Sequence, residues 1–160
     1  MGAWGVGPFD CDTAADFAHE VRRGSDTEAR QDILLFAMRN LVQADDLTLH
    51  SMADYELDST AERAVAAVAF VADGIRQRSH WTNTSFARGC KDTPPYDLLD
   101  PVDIGTVTDA LWVTAMAVLE KMEQLLLTDD STGELSADTY RKVLSELRDD
   151  LRHHEPSDQQ

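Results

Sequence analysis

Positive charge, cysteine and long apolar runs are all scarce in this chain. Lysine and arginine number 14 against 30 acids, a formal charge of −16. A surface of that sign repels nucleic-acid phosphates and anionic membranes, so no nucleic-acid partner and no membrane partner are expected. Two cysteines, Cys11 and Cys90, do not make a disulfide framework. A reduced thiol pair is the expectation. No apolar run approaches the roughly 18–20 residues that span a bilayer. The N-terminus lacks the basic and apolar regions of a signal peptide, and Val6 stands where a myristoylation motif wants Ser or Thr. These absences point to a cytoplasmic protein.

The acids are unevenly placed. Residues 1–60 are net −8, residues 61–100 are neutral, and residues 101–160 are again net −8. A hydrophobic content of 42% is enough for a real core. At 160 residues the chain fits one domain, residues 1–152, with a polar tail at 153–160.

Alternating strand patterns are missing too, and the apolar residues recur at helical spacing instead. Ala14, Phe17, Ala18 and Val21 predict a first helix that stops near Gly24. Ser25 with Glu28 reads as a capping box before Ile33, Phe36, Ala37, Leu41 and Val42, which form one apolar face. A mixed connector, Asp45 to Asp58, follows. Ser59 with Glu62 reads as a second box before a broadly apolar, alanine-rich helix from Ala61 to Ile75, placed at the centre. A fourth helix runs from about Asp103 or Thr106 to Leu127, and a fifth starts at Ser136 with Tyr140, Val143, Leu144, Leu147 and Leu151 on one face. The fold class is all-α: a single compact domain of about five helices with an N-terminal arm rich in glycine and tryptophan and one long loop.

The arm reads MGAWGVGPFDCDTAADF. Its glycines permit close backbone approach, while Trp4 and Phe9 each offer about 150–250 Å² to bury. Asp10, Asp12 and Thr13 sit where they can cap the first helix and favour its positive end. This start resembles a bacterial family known only as domain of unknown function number 4259, whose pattern is MGxWGxGPFDNDxAxDF. Gly2, Trp4, Gly5, Gly7, Pro8, Phe9, Asp10, Asp12, Ala14, Asp16 and Phe17 fit it, and Cys11 replaces the usual asparagine. The resemblance implies no activity, cofactor or catalytic residue.

One segment breaks the helical pattern. Ser79 to Pro101 is long for a connection in so small a domain, and such loops are commonly functional or disordered. It holds Trp81, Phe86 and Tyr96 beside Arg88 and Lys91. Aromatics and arginine are the types that anchor interfaces, so Trp81, Phe86, Arg88, Lys91 and Tyr96 are the candidate binding residues. The plain alternative is that the aromatics pin the loop over the helix ends.

Catalytic constellations are harder to find. Asp12, Asp16 and His19 share a helix face, but helix-start electrostatics explains the acids and no metal is expected. Arg23 stands where a zincin needs its second histidine. Cys90 near His80 lacks a nucleophile signature, and Gly5-Val6-Gly7 is no phosphate loop. No cofactor is expected. The balance is against an enzyme. The leading reading is a non-enzymatic acidic helical binding protein that docks on a basic partner, an immunity or antitoxin-like protein being its most concrete form. The alternative is a small enzyme or small-molecule binder of specialised metabolism, with a site between the arm and the 79–101 loop. Oligomeric state is not readable.

Overall fold

The computed structural model describes residues 12–44, 54–78, 80–81, 102–128 and 134–154. Among them are five helices and no strand: α1 (Asp12–Arg22), α2 (Thr27–Val42), α3 (Asp54–Arg76), α4 (Asp109–Thr128) and α5 (Glu134–Leu151). No helix among the described residues is long and apolar enough to cross a membrane. The N-terminal arm with Trp4, Phe9 and Asp10 lies outside the described residues, as do Phe86, Arg88, Lys91 and Tyr96.

The middle of α3 is the core. Every residue from Ala64 to Asp73 is buried. Five of those ten are alanines, and small side chains let four neighbouring helices approach its axis, since α1, α2, α4 and α5 all pack against it. Phe17 of α1 meets Phe70 of α3 edge to face, with ring centroids 6.5 Å apart. Arg63 covers the outer side of Phe17 at 5.3 Å and pairs with Glu20 at 2.7 Å. Leu34, Met38 and Leu41 enter from α2, Leu111, Val118 and Leu119 from α4, and Leu144, Leu147 and Leu151 from α5. Each such side chain contributes roughly 1.5–3 kcal/mol by leaving water.

Several helix starts differ from the sequence expectation. Asp26, not Ser25, caps α2, because its Oδ1 accepts the third helical N–H, that of Ala29, at 2.8 Å. The buried stripe of α2 is Leu34, Ala37, Met38 and Leu41, and Phe36 is 67% exposed. In the run Ile33-Leu34-Leu35-Phe36 apolar residues are consecutive, so spacing alone does not choose the face. Once Leu34 turns inward, Phe36 lies about 200° further round. Helix α3 starts at Asp54, which leaves Ser59 and Glu62 inside it rather than at its head. Helix α4 starts only at Asp109, where Thr108 Oγ1 accepts the N–H of Leu111 at 3.2 Å.

Residues 102–108 therefore form a non-helical strap. Gln31 Nε2 donates to the carbonyls of Ile104 and Thr106 at 2.7 and 2.9 Å, and Arg30 Nη1 donates to that of Asp103 at 2.7 Å. Gly105 turns the strap at φ 73°, its N–H held by Asp103 Oδ1 at 2.8 Å. A side chain at Gly105 would stand 3.1 Å from Thr27 Cβ. Ile104 and Val107 press against Gly74 of α3.

These bonds fix the relative direction of the helices. Gln31 near the start of α2 meets the approach to α4, and Ala44 just past the end of α2 accepts from Lys121 far along α4. At the other contact Trp112 Nε1 donates to Leu151 O at 2.8 Å, which brings the start of α4 to the end of α5. One pole of the bundle thus gathers the N-termini of α2 and α4 and the C-termini of α3 and α5.

Candidate functional site

At that pole lies a cleft of about 780 Å³, open to solvent. Its size is within the roughly 300–1,000 Å³ of small-ligand pockets. Phe70 and Gly74 of α3, with Ile104 and Val107 of the strap, give it apolar walls, while Asp73, Gln77, Arg78, Thr106, His153 and His154 supply polar atoms. Arg78 and Val102, which flank residues 79–101 in the sequence, both line the cleft.

The end of α3 is shaped by a Schellman motif. The N–H of Arg78 donates to Asp73 O at 3.1 Å and that of Gln77 to Gly74 O at 3.4 Å. Gln77 itself sits at φ 52°, a left-handed conformation that glycine fills more cheaply. Strained residues of this kind gather at functional sites.

Two buried carboxylates hold the next element. Trp81 donates its backbone N–H to Asp73 Oδ1 at 3.2 Å and its indole N–H to Asp150 Oδ2 at 2.8 Å. Asp150 also takes Arg78 Nη2 at 3.2 Å. Both acids lie near helix C-termini, where the dipole disfavours them, and their partners explain their presence. The indole of Trp81 is 8% exposed and belongs to the core. As a candidate anchor for a partner, Trp81 is thus not accessible in a groove, because its polar N–H is spent on Asp150. Beside it His80 stacks edge to face at 5.0 Å.

The C-terminal turn closes the cleft. His154 Nε2 lies 3.2 Å from Asp109 Oδ1, and its ring packs on Trp112 with centroids 5.7 Å apart. The packed chain therefore runs through His154, although sequence reasoning put residues 153–160 in the tail. The cue was Asp109 at a helix start, a natural partner for a late histidine. On α1, Asp16 and His19 are exposed. Among the described residues no group of three or more His, Cys, Asp or Glu is placed to hold a metal.

Helices α3 and α5 start at the pole away from the cleft, and their first residues include Asp54, Glu56 and Asp58, and Glu134 and Asp138. In sequence Asp45, Asp46, Asp129 and Asp130 precede those starts. Residues 43–59 and 126–140 hold nine acids and no lysine or arginine. At the cleft pole Arg22, Arg23, Arg30, Arg76, Arg78 and Arg152 stand among Asp26, Glu28, Asp73, Asp103, Asp109, Asp149 and Asp150, close to balance.

No curated protein and no solved structure matches the chain. A family model, domain of unknown function (DUF4259), matches residues 2–129, which takes in α1 to α4 and the strap but not α5. The chain belongs to this family.

Proposed function

We propose that the protein is a non-enzymatic binding protein whose acidic pole docks on a basic protein partner, in the manner of an immunity or antitoxin protein acting in the cytoplasm. The observation that supports this reading is the run of charge in the sequence: residues 43–59 and 126–140 hold nine acids and no lysine or arginine. The helix starts that fall within those runs, those of α3 and α5, lie at the same pole. A concentrated field of one sign speeds encounter with an oppositely charged surface and rejects wrong partners.

The experiment is a binding measurement against the basic proteins encoded beside this gene, at several salt concentrations. The reading expects saturable association whose rate falls as salt rises. Absence of association with any of them, or an association indifferent to salt, contradicts it.

A second reading, a small-molecule binder, is favoured by the cleft at the opposite pole. Its strap is pinned at three carbonyls, and a preorganised wall lowers the ordering cost of binding.

A further inference from the structure

We infer that the cleft is a binding site for a small organic anion: a carboxylate carried on an apolar body. The inference rests on which polar groups of the cleft are already occupied.

The acids are occupied. Asp73 Oδ1 receives the N–H of Trp81, and Asp103 Oδ1 receives that of Gly105. The donors are not. Arg78 gives only Nη2 to Asp150, at 3.2 and 3.4 Å to its two oxygens, so Nε and Nη1 have no partner among the described residues. The imidazole of His153, the amide of Gln77 and the hydroxyl of Thr106 likewise make no side-chain bond among the described residues, and all line the cleft. Nε and Nη1 lie on different edges of the guanidinium, and either can give a ligand carboxylate one charge-assisted bond. The side chain of Arg78 is 44% exposed, so a ligand can reach it.

Overall charge does not oppose this. Nine of the 30 acids fall in residues 43–59 and 126–140, away from the residues that line the cleft, and around the cleft arginines and acids nearly balance. Fields between exposed charges are screened within about 8–10 Å in physiological salt, so the local donors decide. The apolar walls of Phe70, Ile104 and Val107 select for a hydrocarbon body next to the acid. A bare phosphate would leave those walls unused, and an amine would meet Arg78 with like charge, while Asp73 and Asp103 already accept backbone N–H groups.

The test uses phenylacetate as probe, phenethylamine as its cationic counterpart and inorganic phosphate as the anion without a body. Binding is read by calorimetry and by NMR shifts of residues 102–107 and His153. The expected result is saturable binding of phenylacetate, at least tenfold tighter than either control. Arg78→Ala should weaken it at least tenfold. Should that variant unfold through loss of the Asp150 pair, His153→Ala removes an exposed ring and should weaken binding several-fold with an unchanged Tm. The inference is overturned if phenylacetate gives no saturable shift, if phenethylamine or phosphate binds as well, or if a folded Arg78→Ala or His153→Ala binds as the parent does. These outcomes are independent of the acidic pole, whose partner binding is measured separately.

Discussion

Trp81 and Asp150 lie 69 residues apart and are joined by an indole N–H to carboxylate bond of 2.8 Å within the core. The same carboxylate receives Arg78 at the cleft rim. One side chain of α5 thus fixes both the end of α3 and the root of the 79–101 connection. Asp150→Ala orphans a buried indole N–H and should cost about 2–4 kcal/mol in urea unfolding, since such losses include the desolvation of the group left behind. Asp150→Asn keeps an acceptor oxygen and should cost less. Equal stabilities for parent and Asp150→Ala would show that the bond contributes nothing.

Gln77 occupies a conformation made for glycine. Gln77→Gly should raise stability by about 0.5–1 kcal/mol, relief of left-handed strain outweighing the added freedom of the unfolded chain. A destabilised variant in chemical unfolding would mean that the glutamine side chain holds the helix end by contacts of its own.

Gly105 stands at φ 73° against Thr27. Gly105→Ala should destabilise by roughly 1–3 kcal/mol, combining strain at positive φ with a contact only 3.1 Å from Thr27 Cβ. Its amide exchange should speed up most in residues 102–108. Unchanged exchange in the strap would separate the turn from the cleft wall.

Helix number, helix type and the central place of α3 were legible in the sequence, because long periodic runs bounded by polar connectors leave few alternatives. Finer placement was not. Asp26 and Ser25 are adjacent capping residues, and only backbone geometry decides which one reaches Ala29. Phe36 looked internal because four apolar residues in a row fit two faces. The strap escaped notice because Val102, Ile104 and Val107 extend the apolar pattern of α4, whereas Gln31 and Arg30, distant in sequence, hold it out of the helix. Trp81 looked like an anchor for a partner, and nothing local revealed Asp150 as its acceptor.

The central claim is that the acidic pole receives a basic partner. Two sets of amide variants carry equal charge change. One replaces Asp54, Glu56, Asp58 and Asp138 at the pole, and the other replaces Asp16, Glu28, Asp32 and Glu120 elsewhere on the bundle. Association rates with the basic neighbour-encoded protein, measured from low to physiological salt, separate them. The account predicts that the polar set slows low-salt association about tenfold or more, in the range of electrostatic steering, and flattens its salt dependence, while the second set has a much smaller effect. Equal slowing by both sets, or by neither, would contradict it.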